Sequence, residues 1–231
     1  MTWSRHFSLT VCLWLLLPAG GLSQTRVAPL YSLPADGSWV EYEWKLVEPG
    51  KPDRAGLLRI SLVGGKEVDG VAHCWVELAK ESRDGDRVDR QVRKLLIKRK
   101  ALEEGLPLEG NVAAGYRKAG RDGAVERLAG RGLTDLLGMG FEGSGAVPRE
   151  VRAAEKVETK LGDYSARHVA ARVDAPRRLS YDGWLTGEVP FGWAKIEVRE
   201  WVGEKVRRTC VVTAKTSGRD ARSELDESKA K

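Results

Sequence analysis

The sequence predicts a mainly β protein of the α+β class, with a mostly antiparallel sheet of about eight or nine strands and few helices. Three observations lead to this prediction. Apolar residues recur at every second position in most segments of the chain. Turn sequences rich in Gly, Pro and Asp separate these segments at hairpin spacing. One Gly-rich stretch, residues 105–148, interrupts the pattern.

The N-terminal 23 residues have the layout of a secretory signal peptide. Arg5 precedes an apolar run at 9–17, and small residues follow it. The run is far shorter than the roughly 20 residues that span a bilayer, so an uncleaved anchor is the less favoured alternative. We therefore expect an exported protein, periplasmic or secreted after cleavage, in which residues 24–37 form an extended lead-in to a single domain at 38–214.

The first half of this domain reads as a meander of short strands. Residues 40–46 alternate between apolar and charged side chains, which is typical of a half-buried strand. Turn sequences at 64–70 (GGKEVDG) and 80–86 (KESRDGD) separate the strands that follow. The predicted strands are 40–46, 58–62 and 71–79.

The next segment, residues 87–97, is compatible with two structures. Val88, Val92, Leu95 and Leu96 fit the apolar stripe of a helix, whereas the even-numbered residues alternate as in a strand. The preceding meander favours a strand, because another hairpin is the shortest connection. A short helix is expected at 98–104.

Residues 105–148 contain eleven glycines and differ in kind from the rest. Long segments without regular structure are uncommon and are often functional. We expect a crossing, or a movable lid, that covers one face of the sheet. Short helices are predicted within it at 124–128 and 133–139.

The alternating pattern returns after Pro148 and ends before a polar tail. The tail, residues 215–231, has almost no apolar content and mixed charge, which predicts disorder. The strands predicted in this half are 151–161, 164–173, 178–185, 195–202 and 205–214.

The charge of the chain is concentrated in one segment. The full sequence has a formal net charge of +6, and residues 87–100 alone carry seven Lys or Arg and one Asp. A solvated strand face is the favoured interpretation. The alternative is contact with an anionic envelope surface, such as lipid headgroups. The residues that would make it are Arg90, Arg93, Lys94 and Lys98.

The two cysteines of the mature chain leave two alternatives open. Cys74 and Cys210 fall on the apolar sides of strand-like segments. An exported protein can form a disulfide, and buried free thiols would give the same pattern. No spacing of Cys and His indicates a zinc site.

Motifs for catalysis or cofactor binding are missing from the sequence. It has no phosphate-binding loop, no dinucleotide fingerprint and no Gly-x-Ser-x-Gly. His73 and His168 lie in strand-like segments and are expected to be structural or surface residues. We expect no enzyme, no cofactor, no metal and no nucleic-acid partner; a hydrolase with an unrecognised carboxylate pair is the least favoured alternative.

Aromatic residues are the remaining signal. Large aromatics often fill the core of a sheet with few covering helices. They could instead line an apolar groove with a polar rim, which would bind a lipid or another hydrophobic molecule. The candidate groove residues are Trp44, Trp75, Trp184, Phe191 and Trp193.

Several segments together resemble exported bacterial proteins of uncharacterised function, with sheets similar to the LolA/LolB lipoprotein-carrier fold. They are DGSWVEYEWKL (36–46), KLLI (94–97), the Gly-rich crossing, KLGDYSARHV (160–169) and GEVPFGWAKIE (187–197). The resemblance covers about residues 38–214. It implies a strongly curved, half-barrel-like antiparallel sheet, with short helices over a concave face that holds an apolar ligand such as an acyl chain.

Two main hypotheses follow. In the first, the protein is an exported, non-enzymatic binding protein with an apolar groove for a hydrophobic ligand. In the second, it is a structural or interaction module of the cell envelope, with a solid core and a basic docking strip.

Overall fold

The computed structural model describes residues 30, 32–84, 87–104, 106, 108, 110–120, 122–129, 148–173 and 178–230. Eleven strands and one α-helix are formed by these residues, and they are numbered in chain order. They are β1 (Trp39–Val47), β2 (Arg54–Val68), β3 (Val71–Asp84), β4 (Arg87–Lys98), α1 (Arg99–Glu103), β5 (Val112–Ala119), β6 (Val125–Arg127), β7 (Pro148–Glu158), β8 (Asp163–Val173), β9 (Arg178–Leu185), β10 (Trp193–Val202) and β11 (Lys205–Gly218).

All eleven strands belong to one open antiparallel sheet. Their order is β6-β5-β4-β3-β2-β1-β11-β10-β9-β8-β7. The sheet therefore consists of two meanders, β1 to β6 and β7 to β11. They are joined in the middle of the sheet, where β1 pairs with β11. The prediction of a mainly β antiparallel protein is confirmed, and the predicted number of strands, eight or nine, is too low.

The β2–β3 hairpin shows why the strand lengths were underestimated. The predicted turn at 64–70 is wrong for most of its length, because β2 continues to Val68 while β3 begins at Val71. A bulge between Leu62 and Gly65 accommodates Val63 and Gly64, and Gly65 pairs with Cys74. The chain reverses only at Asp69 and Gly70, whose φ angles of 50° and 76° suit a tight hairpin turn.

The sheet buries one face, here called the core face, which carries Val40, Tyr42 and Trp44 of β1. Successive side chains alternate between faces, so the neighbouring strands contribute every second residue to the same side. The resulting cluster includes Leu58, Ile60, Leu78, Leu95, Tyr181, Leu185, Trp193, Val198, Cys210 and Val212, all less than 9% exposed. The opposite face, here called the outer face, carries Trp39, Trp75 and Trp184.

The helical predictions are confirmed in one place and wrong in another. Helix α1 follows β4 directly, as predicted for 98–104, and buries Ala101 and Leu102. The helix predicted at 124–128 is instead β6, which pairs with β5 and extends the sheet edge. The predicted helix at 133–139 lies outside the described residues. No helix among the described residues is long and apolar enough to cross a bilayer.

The described part of the Gly-rich segment adds two strands to one edge of the sheet. The prediction that this segment covers a face of the sheet is wrong for these residues. β5 pairs with β4 over seven registered positions, and β6 pairs with β5 over three. A lid formed by residues 130–147 lies outside the described residues.

The disorder predicted for 215–231 is wrong for the residues that the structure describes. Strand β11 continues to Gly218, four residues beyond the predicted domain end. Residues 219–230, here called the C-terminal segment, then cross the outer face, where Leu225 is 1% exposed. A polar segment can be ordered by pairing with charges elsewhere in the fold, which composition alone does not reveal.

The possible disulfide is absent, because Cys74 and Cys210 are both buried free thiols. Burial raises the pKa of Cys210 to about 12, and it also raises the pKa of Cys74. A thiol with a raised pKa carries little thiolate at neutral pH and is a poor nucleophile. Both cysteines therefore act as small core residues.

Candidate functional site on the outer face

Strand register places five side chains next to one another on the outer face of β3, β4 and β5. Trp75 and Glu77 of β3 alternate with residues of the core face, and Lys94 pairs directly with Glu77. Tyr116 of β5 lies opposite Lys94, while Arg90 lies four residues earlier along β4. Residues directly opposite in antiparallel strands share a face, so these five form one patch, here called the Trp75 site.

Glu77 is a buried carboxylate that binds the backbone of the C-terminal segment. It accepts hydrogen bonds from the amides of Glu224 (2.9 Å) and Leu225 (3.2 Å), and from the Ser223 hydroxyl (2.8 Å). Burial raises the pKa of Glu77 above its ordinary value, although these hydrogen bonds oppose the shift. The site therefore satisfies an otherwise costly buried carboxylate with the main chain of the segment.

Arg90 and Lys94 bind the acidic side chains of the same segment. Arg90 Nη2 donates to both carboxylate oxygens of Glu224, each at 2.7 Å, and these are charge-assisted hydrogen bonds. Lys94 is 5% exposed and donates to Glu227 (2.5 Å) and to the Leu225 carbonyl (3.2 Å). Two cations and one carboxylate thus bind an acidic chain that bends at Glu224.

Trp75 supports the lysine from below. Its ring lies 5.0 Å from Lys94 Nζ and 5.4 Å from Lys66 Nζ, both within the range of cation–π contacts. Tyr116 packs at a tilt against it, with ring centroids 6.0 Å apart. These aromatic rings stabilise the nearly buried ammonium group of Lys94 and so offset part of its desolvation free energy.

The C-terminal segment crosses the strands along one row of paired residues. Asp220 accepts a 2.7 Å hydrogen bond from Trp39 Nε1 on β1, and Ser223 to Leu225 bind at β3. Leu225 then enters a small apolar cluster that is separate from the main core. This cluster contains Ala79, Val92, Val125 and Leu225, with Tyr116 and Ala230 packed against it.

Two open cavities flank the segment where it passes over β3 to β6. The larger, of about 810 Å³, is lined by Arg83, Arg90 and Lys118 together with Glu81, Glu224, Val88, Val92 and Gly120. The smaller, of about 260 Å³, shares Lys118 and Glu224 with the larger and also includes Asp226 and Lys229. The bound segment therefore leaves charged space beside Glu224 and Asp226.

The four residues predicted to contact an anionic surface differ in position and in binding partner. Arg90 and Lys94 belong to the Trp75 site and already pair with carboxylates of the C-terminal segment. Arg93 pairs in register with Leu78 and so points to the core face, and Lys98 donates to the Gly110 carbonyl. A continuous basic strip open to solvent is therefore not formed, because Arg93 lies on the opposite face from the other three and the C-terminal segment binds Arg90 and Lys94.

Three of the five predicted groove aromatics lie in the main core, and the other two lie on the outer face. Phe191 and Trp193 are at most 1% exposed in the core, and Trp44 is buried on the core face, with its indole donating to the Glu81 carbonyl. Trp75 and Trp184 lie on the outer face, in different halves of the sheet. The described residues do not bring these side chains into one groove.

Trp184 belongs to a second polar cluster, formed by β7 to β10. It stacks on His168 with centroids 4.8 Å apart, Lys195 lies 4.6 Å over its ring, and its indole donates to Glu155. His168 Nε2 lies 3.0 Å from Asp182 Oδ1. His168 is buried, and its contacts tie three strands together. Among the described residues, no group of three or more His, Cys, Asp or Glu is placed to hold a metal ion.

Sequence reasoning missed the C-terminal segment as part of a site. The available signal was the complementarity between SELDE at 223–227, with three carboxylates around one leucine, and the basic segment at 87–100. An isolated leucine in a polar tail also indicates an anchor. Neither signal specifies which face of the sheet the tail would reach.

Comparison with known proteins gives low similarity. No family model and no curated protein match this chain. One similar structure is a proposed exported protein with a YmcC-like fold from Bacteroides fragilis, at 9% identity and a TM-score of 0.39, covering 82% of this chain and 99% of that one. Another is a DUF1329 family protein from Desulfovibrio piger, at 10% identity and a TM-score of 0.36, covering 83% and 88%. With TM-scores this far below 0.5, neither likeness is evidence about function.

Proposed function

We propose that this protein is an exported, non-enzymatic interaction module of the cell envelope, and that its binding surface is the Trp75 site. The observation that carries the proposal is a preformed set of groups for an acidic chain: Glu77 for backbone amides, Arg90 and Lys94 for carboxylates. Such groups are costly to bury unless they meet a matching partner, so they mark a recognition surface.

The packing of the core face also supports an interaction module. Tyr42, Phe191 and Trp193 are among its largest side chains, and each is at most 2% exposed. The predicted apolar groove would need such aromatics at its wall, open to a ligand. Here these side chains are buried in the packed core and do not face an open groove.

The positions of the buried carboxylates support a non-enzymatic role. Glu77 is engaged by the C-terminal segment, and Glu200 pairs with Arg207 and Arg208. A general acid or base needs a carboxylate within reach of substrate. Both groups have structural partners instead.

A lipid carrier is the second candidate, and two buried hydroxyls favour it. Among the described residues, no group lies within hydrogen-bonding distance of the Tyr42 or Tyr181 hydroxyl. Buried hydroxyls normally find a partner, and the polar end of an interior ligand could supply it. Lys160, in the connection between β7 and β8, also pairs with Glu43 of β1 at 2.7 Å. Three strands separate β8 from β1 in the sheet, so this contact supports a curved, half-barrel-like sheet.

Native mass spectrometry of the mature protein from its own envelope separates the two candidates. An interaction module is expected to have the mass of the bare chain, the same before and after denaturation. Extra mass that disappears on denaturation and extracts as lipid would contradict the interaction module and establish the carrier. The mature mass also gives the cleavage site, expected after residue 21 or 23.

A further inference from the structure

We propose that the Trp75 site is a docking groove for an acidic segment of a partner protein, and that the C-terminal segment occupies this groove in cis until the partner displaces it. The inference rests on the proposed function, since it names the partner of the same surface. The bound segment is itself the evidence, because it shows which chain chemistry the groove accepts.

The contacts define a short recognition pattern: an acid, a leucine, any residue, and a second acid. Arg90 Nη2 binds both carboxylate oxygens of Glu224, the first acid, and Leu225 is buried among apolar residues of β3, β4 and β6. Lys94 binds Glu227, the second acid. Glu77 accepts hydrogen bonds from two successive amides, which requires a bend in the backbone just before the leucine, as at Glu224.

The segment in cis leaves parts of the groove for a longer partner. Arg83 and Lys118 line the larger cavity, and Lys118 also lines the smaller one. The Arg83 side chain is 65% exposed and pairs only loosely with Glu81, at 3.3 Å. A partner with further carboxylates on either side of the leucine would gain contacts that the C-terminal segment does not make.

The C-terminal segment is bound weakly enough for a partner segment to displace it. The Glu224 and Glu227 side chains are 42% and 35% exposed, and pairs that remain partly in water contribute little. The tether supplies most of the occupancy, because a short connection gives an effective concentration of the order of millimolar. A separate acidic chain with more contacts can therefore compete.

The test uses the full chain and a labelled peptide with the sequence of residues 219–231. The chain carries Leu225→Asp and Glu224→Arg, which release its own segment and leave the groove unchanged. We expect this variant to bind the peptide at least tenfold more tightly than the wild-type chain, measured by fluorescence anisotropy. The same peptide with its leucine replaced by serine is the matched control and should bind at least tenfold more weakly.

A second groove variant, Arg90→Glu with Lys94→Glu in the released chain, should abolish binding. If Leu225→Asp prevents folding, Glu224→Arg alone serves, since that side chain is largely outside the apolar cluster. A folded, released chain that binds the peptide no better than wild type would overturn the inference.

Two further outcomes would also overturn it while leaving the proposed function standing. The released chain could bind vesicles of anionic lipid and ignore the peptide, which would identify lipid headgroups as the partner. Alternatively, light scattering could show that the wild-type chain forms a dimer that Leu225→Asp abolishes, which would identify a second copy as the occupant. A lipid adduct in native mass spectrometry, by contrast, would contradict the proposed function itself.

Discussion

Two tryptophans of this sheet have similar burial and opposite roles. Trp193, on the core face, is 1% exposed and packs against Gly183, where a Cβ atom would lie 2.0 Å from its ring. Trp75, on the outer face, is 6% exposed and lies beneath two lysines, next to Glu77, which binds the C-terminal segment. The first is fixed by close packing, whereas the second is covered by charged side chains of the neighbouring strands.

The difference shows that burial alone does not identify a core residue in a single-layer sheet. Both faces must be shielded, and here different means do it. Apolar side chains fill the core face, while a polar segment bound by ion pairs covers part of the outer face. Breaking one cover should leave the other intact.

Removing the ring on the core face should have the largest effect. Trp193→Ala leaves a cavity in the main core and is expected to lower the free energy of unfolding by about 3–5 kcal/mol. Urea denaturation would measure it. Trp201→Ala is the matched control, because Trp201 is only half-buried. A change at Trp193 no larger than the change at Trp201 would contradict the assignment.

Adding a methyl group beneath the same ring should have the next largest effect. Gly183→Ala places Cβ against Trp193, so the ring or the strand must move, at a cost of about 1–3 kcal/mol. Gly187→Ala is the control, since nothing lies within 4 Å of a Cβ at that position. Equal thermal midpoints for the two variants would mean that the close contact is absent.

Removing the leucine anchor on the outer face should cost less. Leu225→Ala is expected to lower global stability by roughly 1–2 kcal/mol, because the segment can open locally without unfolding the sheet. Limited proteolysis should then cut between residues 218 and 230 while the sheet stays intact. A loss of stability as large as that of Trp193→Ala would show that the two covers are not independent.

Acid should release the C-terminal segment with a small effect on the core. The Trp39 hydrogen bond lowers the pKa of Asp220. Burial raises the pKa of Glu227, but the hydrogen bond from Lys94, a backbone hydrogen bond and the charge of Lys94 together outweigh it, so the pKa of Glu227 is lowered. Each group stabilises docking above its ordinary pKa, 3.8 and 4.5, and this contribution is lost as pH falls through the lower folded value. Glu77 acts in the opposite direction, because its raised pKa makes burial costlier as pH rises.

The pH dependence can be followed by Trp39 fluorescence or by proteolysis between pH 6 and pH 3. A chain with Asp220→Asn and Glu227→Gln should show a weaker dependence over the same range. If the C-terminal segment were already released above pH 6, the assignment to these carboxylates would be contradicted.

The sequence predicted the alternation well, because period two follows directly from strand geometry. It predicted β4 as a strand, and α1 is where it was expected. It singled out Arg90 and Lys94 for contact with an anionic envelope surface, whereas in the structure they pair with carboxylates of the same chain. It failed where the outcome depends on contacts distant in sequence. Trp75 and Trp193 look alike in a pattern of alternating residues, and only register shows that they lie on different faces.

The C-terminal segment was missed for a related physical reason. Composition predicts disorder for a polar tail that cannot form a core of its own. Residues 223–227 need no core of their own, because Glu77, Arg90 and Lys94 supply partners from more than 130 residues away in sequence. Complementary charge between two segments is a weak signal until the fold brings them together.

Hydrogen exchange at the amides of Glu224 and Leu225 tests the central claim most directly. Both amides donate to the buried Glu77 carboxylate. We expect these two amides to exchange slowly in the wild-type chain and fast in Leu225→Ala. Protection of the amides in β9, β10 and β11 should be the same in both chains. Exchange at the rate of an unstructured peptide in the wild-type chain would contradict the claim that the C-terminal segment occupies the Trp75 site.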